Sequence, residues 1–488
     1  SSVRHLHAGG GMIAALRWHE APRRVQLAAL SLPIVLVTTL LRALGLIDDL
    51  ALLGYAALLV YVLAEWPRLP RINRLLLWIA FAALVLLPLL HPQPLSVLRQ
   101  AFDRAAYYAT FVTALSFLRE AAATSKLVRE CGYRIINQPP AKRYLTLSSG
   151  SLLFGIILNI GAINLLGVMT SRSNTLRAAG GNREIQQARG RRMTLALLRG
   201  FSLTPLASPF SITLVVVLSS FPELRWHDVL PLGFLAAALL LGYGWWLDRR
   251  NAPRHLRALV PPLDTSGGWG PQLRFLALVL GIVGVAIGLE LLLRIPLVLA
   301  ILLSAPPMGL LWMAAQRRRH GALKALHYAS VRLGRRSLDL FPSLRSEVGI
   351  LGGAGFTGVL LAAMLPPDLI ANALQSLHLS GPLAAIFLMA LVVLGSNVGL
   401  NPIVSVTLLA AALPDPRVLD VAPALMGLAY MCSWALAINF SPLTASVLLL
   451  SRLAGVPPAE LGYRWNGRYT LGSFALLSLL LVLLGWVL

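Results

Sequence analysis

Residues 394–402 read Leu-Gly-Ser-Asn-Val-Gly-Leu-Asn-Pro, a polar turn with glycine and proline between two apolar runs at 383–394 and 403–413. Each run has about 12 residues, whereas a helix needs about 20 apolar residues to cross a bilayer. The pattern therefore predicts a re-entrant hairpin that enters the membrane and turns back. Backbone that leaves the helix at membrane depth is tolerated only where protein buries it or where it lines a wet cavity. This turn is therefore a candidate binding site.

The turn has a counterpart in the first half of the chain. Residues 159–164 have the same order of asparagine, aliphatic residue, glycine, aliphatic residue and asparagine as residues 397–401, with one residue more. Further along, Ser208 and the proline after it match Ser441 and the proline after it, at nearly the same offset. Matching features at a nearly constant offset predict an internal repeat.

The composition is that of an integral membrane protein. Apolar residues make up 57% of the chain and charged residues 12%, and long apolar runs recur throughout. The formal net charge of +23 comes from 42 Lys and Arg, most of which lie between the apolar runs, as in cytoplasmic loops. This distribution argues against nucleic-acid binding.

The apolar segments and the loop charges predict an all-α polytopic membrane protein. It has two inverted-topology repeats, each with a re-entrant helical hairpin and a broken transmembrane helix. The basic loops fit one orientation, with the N-terminus in the cytoplasm and the C-terminus outside a bacterial-type inner membrane. The predicted parts are a basic N-terminus at 1–26, first-half scaffold helices at 27–146, a first transport part at 147–250 (hairpin 147–170, broken helix 200–220), a cytoplasmic linker at 251–271, second-half scaffold helices at 272–382 with a basic loop at 316–346, and a second transport part at 383–488 (hairpin 383–413, broken helix 422–453).

Four polar-proline pairs are expected to open helical segments. They are Thr204-Pro205, Ser208-Pro209, Asn401-Pro402 and Ser441-Pro442. Asn, Ser and Thr are common N-caps, and proline is tolerated at the first helical position. The free N–H groups and the positive end of the helix dipole can hold an anion there. The alternative is a proline kink that a neighbouring side chain repairs, but two matched pairs beside two matched asparagine turns favour a site.

The asparagine residues of both turns supply amide oxygens. A hard cation such as sodium takes oxygen ligands from side chains and backbone carbonyls, so no carboxylate is required. The candidate sodium ligands are Asn159, Asn164, Asn397 and Asn401. The alternative is that these amides only cap the hairpin tips.

Acids are missing where a proton relay would need them. Asp, Glu, His, Lys and Arg are all absent from 147–170, 200–220, 383–413 and 422–451. Proton-coupled carriers usually relay protons through an intramembrane acid, and the best candidate, Glu290, lies a helical pairing distance from Arg294. Sodium is therefore favoured over protons, and an enzyme is not expected because these segments hold no metal cluster, carboxylate dyad or nucleophile–base set.

At these residues the chain resembles the ion transporter superfamily, which includes divalent-anion/sodium symporters and citrate carriers. Residues 395–397 and the Asn401-Pro402 pair resemble the Ser-Asn tip of the second hairpin in the divalent-anion family, and residues 441–446 resemble the break in the following helix. The resemblance covers about 147–250 and 383–488. It implies a homodimer in which a transport part with both hairpins moves as a rigid body, and substrates that are small anions.

The sequence thus predicts a secondary transporter that moves a small anionic solute across the inner membrane, coupled to sodium or protons, by an elevator-like movement. The expected partners are the solute, membrane lipids and a second copy of the chain, with no cofactor besides sodium as coupling ion. The candidate substrate- and ion-binding residues are Asn159, Gly161, Asn164, Thr204, Ser208, Ser211, Ser396, Asn397, Gly399, Asn401, Asn439, Ser441 and Thr444. One alternative is a membrane-embedded enzyme or assembly partner in envelope polymer synthesis, supported by the basic loop at 316–346; a channel is a further alternative.

Overall fold

The computed structural model describes residues 18–253, 255, 268–366 and 368–487. Over these residues helices joined by short connections build the chain, which confirms the predicted all-α polytopic fold. Within the described residues, nine helical segments are long and apolar enough to cross a membrane. A tenth is added if Leu369–Ser376 and Gly381–Asn397, which meet at 108°, are counted as one bent span.

The first half of the chain begins with scaffold helices and ends with a hairpin, a broken helix and a long final helix. Its helices are α1 Arg23–Ala43, α2 Ala51–Glu65, α3 Arg71–Leu90, α4 Pro94–Thr124, α5 Lys126–Ile136, α6 Pro140–Leu158, α7 Ile160–Ser173, α8 Arg183–Phe201, α9 Thr204–Ala207, α10 Ile212–Ser220 and α11 Trp226–Arg250. The hairpin is α6 and α7, and the broken helix is α8 to α10.

The second half repeats this order. Its helices are α12 Gly270–Leu293, α13 Leu297–Ala315, α14 Ala322–Ser343, α15 Arg345–Met364, α16 Leu369–Ser376, α17 Gly381–Asn397, α18 Pro402–Ala412, α19 Pro423–Phe440, α20 Ala445–Ala454 and α21 Gly467–Gly485, with a π-helical turn at Glu460–Trp465. The hairpin is α17 and α18, and the broken helix is α19 and α20. Each half therefore has a hairpin followed by a broken helix, as predicted.

The first broken helix begins well before the predicted position at residue 200. The Arg-rich stretch from residue 183, which lies between the predicted hairpin and the predicted broken helix, is the first half of α8. The side chain of Asn182 caps this helix by accepting hydrogen bonds from the backbone N–H groups of Glu184 and Ile185, at 2.8 and 3.2 Å. Arginine and glutamine are good helix formers, so a polar stretch can continue an apolar helix beyond the membrane.

The chain divides into two compact units. One contains the residues up to Ser125, Gly284–Leu369 and Thr407–Ala412, and the other contains Lys126–Val283, Ile370–Val406 and Leu413–Leu488. In the first unit α4 packs against α13 and α15, and in the second α6 packs against α8 and α17 against α19. The residues of both hairpin tips and both helix breaks belong to the second unit.

Glycine sets the close approach of α6 and α8 in the second unit. A Cβ atom on Gly200 would lie 2.2 Å from the backbone oxygen of Ser148. Only glycine lets the two backbones come this close. The first hairpin is thereby held tightly against the first broken helix.

Candidate functional site

The first hairpin turns at a single residue, Asn159. Its φ of 51° lies in the left-handed region, which asparagine tolerates better than most residues. Its backbone N–H donates to the carbonyl of Gly155 and its carbonyl accepts from the N–H of Ala162, at 3.0 and 2.9 Å. The half-buried Asn159 side chain forms no capping hydrogen bond with α7.

This geometry corrects the expectation of an unwound turn over residues 159–164. Gly161 and Asn164 lie within α7, and the side chain of Asn164 is exposed. A glycine inside a helix costs only about 1 kcal/mol relative to alanine, so Gly161 does not end α7. Of the first-turn candidates, only Asn159 lies at the break itself.

The second hairpin turns over residues 398–401. Gly399 has a φ of 94°, a conformation that suits glycine. The side-chain oxygen of Asn401 accepts a hydrogen bond from the backbone N–H of Ile403 at 2.9 Å, so Asn401 caps α18. The tip is therefore a genuine interruption of the helix, and its asparagine, Asn401, has a capping role.

The end of α17 is tied to two other elements of the same unit. The side-chain nitrogen of Asn397 donates to the carbonyl of Val393 at 2.8 Å, and its oxygen accepts from the Tyr463 hydroxyl at 2.9 Å. The backbone oxygen of Ser396 accepts from the Ser441 hydroxyl at 2.6 Å. Three of the predicted residues, Ser396, Asn397 and Ser441, thus meet where the second hairpin tip contacts the second helix break.

The two helix breaks share one local geometry. In the first, the Ser208 hydroxyl oxygen accepts from the N–H of Phe210 at 3.2 Å. In the second, the Ser441 hydroxyl oxygen accepts from the N–H of Leu443 at 3.3 Å. Ser441 follows Ser208 by 233 positions, and Leu443 follows Phe210 by the same number. The internal repeat predicted from the sequence is therefore visible in the hydrogen bonds of the breaks.

The expectation that Ser208-Pro209 and Ser441-Pro442 open helices is wrong. Ser208 ends α9 and Ser441 ends α19, both in extended conformation. The reason is steric, because the ring of a proline keeps the preceding residue out of the helical region. The following helices instead begin three residues later, with Ser211 and Thr444 at their N-cap positions, and the Ser211 side chain caps its helix.

Hydroxyls at these caps bond to nearby backbone. Ser211 accepts from the N–H of Leu214 at 3.2 Å. Thr444 donates to the carbonyl of Ser441 at 2.7 Å. Thr204, which begins the short helix α9 before Pro205, donates to the carbonyl of Phe201 at 2.8 Å. These hydroxyls compensate the backbone groups that the breaks release.

Asn439 lies apart from the tip, in a buried polar cluster. Its carbonyl accepts from the side-chain nitrogen of Asn466 at 2.8 Å, and its own side-chain nitrogen lies 3.4 Å from the Thr470 hydroxyl. Its side-chain oxygen is buried without a hydrogen-bond partner in the described part of the chain. The side-chain oxygen of Asn466 accepts from Nε of Arg199 at 2.8 Å.

Arg199 is a candidate that the sequence reasoning missed. Arg199 is only 4% exposed, and its guanidinium lies 4.4 Å from the ring centre of Tyr469. No acid of the described chain forms a salt bridge with it; an amide and an aromatic face surround it instead. The sequence does contain a sign of this residue, because Arg199 stands alone among apolar residues at 195–203. It lies one residue before the broken helix predicted at 200–220.

A cavity of about 790 Å³ lies beside α7, α8 and α20. Arg191 and Trp465 both line this cavity, and the exposed guanidinium of Arg191 lies 5.4 Å from the ring centre of Trp465. Two polar atoms of the lining, the Thr170 hydroxyl and the side-chain oxygen of Asn174, are buried without a hydrogen-bond partner among the described residues. The acidic side chain of the lining, Glu184, is paired with His255 at 2.8 Å. Among the described residues of its lining, the cavity can thus offer the guanidinium of Arg191 and free polar atoms to a solute.

The described residues hold no group of three or more His, Cys, Asp or Glu side chains that could bind a metal ion. Of the four candidate sodium ligands, Asn397 and Asn401 already bond to protein through their oxygens. An amide oxygen has a second lone pair, so both can still face an ion. Asn159 lies at the other hairpin tip and Asn164 is exposed.

Helical hairpins and helices broken at polar residues define an architecture that secondary transporters use to build their sites. The fold is similar to that in the crystal structure of the Alcanivorax borkumensis YdaH transporter, with a TM-score of 0.55 and 16% sequence identity, over 86% of this chain and 99% of that chain. No protein-family model and no curated protein sequence matches the chain. The likeness shows the fold, and membership of the ion transporter superfamily stays a prediction.

Proposed function

We propose that this protein is a secondary transporter of a small anionic solute, working in a bacterial-type inner membrane by an elevator-like movement. The observation that carries the proposal is the hairpin and broken helix in each half, on a fold similar to that of the YdaH transporter. In secondary transporters such discontinuous helices form substrate and ion sites near the bilayer midplane. The proposed solute- and ion-binding residues are those at the tips and breaks.

The anionic charge of the solute is supported by cations in the second unit. Arg191 faces the cavity beside Trp465, and Arg199 is buried with no acid of the described chain bonded to it. In the low-dielectric surrounding of the buried Arg199, a cation without an acidic partner favours an anion nearby. The N-termini of α10 and α18, capped by Ser211 and Asn401, supply further positive ends of helix dipoles.

We propose sodium as the coupling ion, with protons as the alternative. The hairpins and breaks are built from amide, hydroxyl and backbone oxygens, the ligands that a hard cation takes. The second tip concentrates them, since the carbonyl of Ser396 accepts from the Ser441 hydroxyl and the side-chain oxygen of Asn397 accepts from the Tyr463 hydroxyl. No other cofactor is proposed.

The elevator-like movement is supported by the division of the chain into two compact units, one of which holds both hairpin tips. Such a unit can move as a rigid body while the other serves as scaffold. A homodimer held together by scaffold helices is proposed from the family resemblance.

The first experiment is the thermal stability of the purified protein with sodium, potassium and a panel of small carboxylates and oxyanions. A ligand that binds only the folded protein raises the melting temperature. We expect a shift that requires sodium together with one anion. If the melting temperature stays unchanged with every combination of cation and anion, the proposal is contradicted.

The matched variants are Asn397→Ala and Asn251→Ala. Asn397 bonds to Tyr463 at the second tip, whereas Asn251 is exposed at the end of α11. We expect Asn397→Ala to fold, to lose the ligand-dependent shift and to lose uptake of the anion into vesicles, and Asn251→Ala to keep all three. Uptake by Asn397→Ala at the wild-type rate would remove this residue from the site.

A further inference from the structure

The helix α14 lies between two membrane spans but is not itself a span. α13 and α15 are both long and apolar enough to cross the membrane, whereas α14 does not meet the same test over its 22 residues. Two consecutive spans joined by a helix that does not cross must end on the same side of the membrane. α14 therefore lies at a membrane surface, on the side that its charges predict to be cytoplasmic.

One face of α14 is used inside its own unit. Ala325, Ala329 and Leu338 are buried, and the helix packs against α1 and α13. Arg332 and Arg336 approach the buried carboxylate of Glu120 on α4, at 3.7 and 3.2 Å. This face is explained by the fold, and these two arginines are already paired.

The remaining face mixes exposed apolar side chains with cations. Leu323 is 85% exposed, and Leu326 and Val331 are exposed by 38% and 39%. The exposed cations of α14 and the turn before it are Arg317, Arg318, Arg319, Lys324 and Arg335. None of these five forms a salt bridge with an acid of the described chain; the nearby acids Glu120 and Asp339 are taken by other arginines.

A tyrosine marks the boundary between the two kinds of side chain. The guanidinium of Arg317 lies 4.5 Å from the ring centre of Tyr328 and donates to its hydroxyl at 3.2 Å. Tyrosine rings and snorkelling arginines are typical of the headgroup level of a bilayer. Leucines beside them would be wet in an aqueous loop, but at an interface they reach the acyl chains.

We propose that α14 and the preceding turn form a binding surface for anionic phospholipids of the cytoplasmic leaflet. The five cations bind the phosphates, and Leu323, Leu326 and Val331 insert between the acyl chains. Charge complementarity selects an anionic lipid over a zwitterionic one, and the inserted apolar side chains select a bilayer over a soluble acidic partner. The surface belongs to the first unit and does not depend on the proposed transport function.

The test titrates phosphatidylglycerol or phosphatidylcholine into the detergent-solubilised protein and follows the melting temperature. We expect saturable stabilisation by phosphatidylglycerol and none by phosphatidylcholine. The variant Arg318→Gln/Arg319→Gln/Lys324→Gln/Arg335→Gln should weaken the apparent affinity by about tenfold or more, because each surface cation contributes to lipid attraction. The control Arg172→Gln/Arg177→Gln/Arg183→Gln/Arg452→Gln removes the same charge from exposed sites of the other unit and should keep the affinity within about threefold.

Equal losses in both variants would overturn the proposal, because they would show attraction to net charge alone. Stabilisation by soluble glycerol phosphate as strong as by the lipid would also overturn it, and would favour a soluble acidic partner. A second measurement does not depend on the four-residue variant. An environment-sensitive fluorophore on Leu323→Cys should report an apolar surrounding in vesicles with phosphatidylglycerol, and an aqueous signal there would contradict insertion.

Discussion

At the scale of single residues, three buried polar side chains of the second unit form hydrogen bonds with residues of other elements. Ser441 donates to the backbone of Ser396, Asn466 to the backbone of Asn439, and Arg199 to the side chain of Asn466. Each bond joins elements far apart in sequence. Because an unpaired polar group in an apolar surrounding is costly, these bonds specify which helices meet.

The pair Arg199 and Asn466 gives a residue-scale prediction. Asn466→Leu leaves the buried guanidinium without its acceptor, and an unsatisfied buried donor costs about 1–3 kcal/mol, or more when the group is charged. We expect a lower unfolding midpoint in a denaturant titration, whereas the exposed Asn251→Leu changes little. Adding Arg199→Met to Asn466→Leu should restore part of the loss, because the unpaired charge is gone. An additive double mutant would show that the two side chains are not coupled.

At the scale of elements, the two helix breaks share the same local sequence and backbone pattern. Each has a serine that ends one helix, a proline that keeps that serine extended, and a hydroxyl residue at the N-cap position three residues later. They differ in two respects. The Thr444 hydroxyl, unlike that of Ser211, makes no capping hydrogen bond, and the Ser441 hydroxyl also donates to the carbonyl of Ser396 in the second hairpin. The second break is therefore linked to a hairpin tip by a bond for which the Ser208 hydroxyl shows no equivalent in the described chain.

This difference predicts unequal effects of the same substitution. Ser441→Ala should speed amide hydrogen exchange both in its own break and at the tip, residues 396–401, because it removes both bonds. Ser208→Ala should speed exchange only around the first break and leave the second tip unchanged. Hydrogen exchange followed by mass spectrometry measures both regions in one experiment. Unchanged exchange at 396–401 in Ser441→Ala would show that this bond does not hold the tip.

At the scale of the whole molecule, the predicted inversion of the two repeats places their hairpin-flanking loops on opposite sides of the membrane. Arg177→Cys should react with a membrane-impermeant maleimide only after the cells are permeabilised, because its loop is Arg-rich and predicted to be cytoplasmic. Asp415→Cys should react in intact cells. The native Cys131 and Cys432 are buried and give little background. Labelling of both positions from one side would contradict the inversion.

The sequence by itself determined the helical membrane class, the two hairpins and the repeat, because apolar run length and the spacing of Asn, Ser and Pro are local properties of the chain. Local pattern also misplaces two features. It predicts that Pro209 and Pro442 open helices, which in fact begin three residues after the preceding serines, and it places Asn164 in a turn that Asn159 makes alone. Only the tertiary structure decided that Arg199 is buried against Asn466 and Tyr469, that Asn397 bonds to Tyr463, and that α14 keeps an unpaired cationic face. Those facts depend on contacts between residues distant in sequence, which packing sets and a local pattern does not contain.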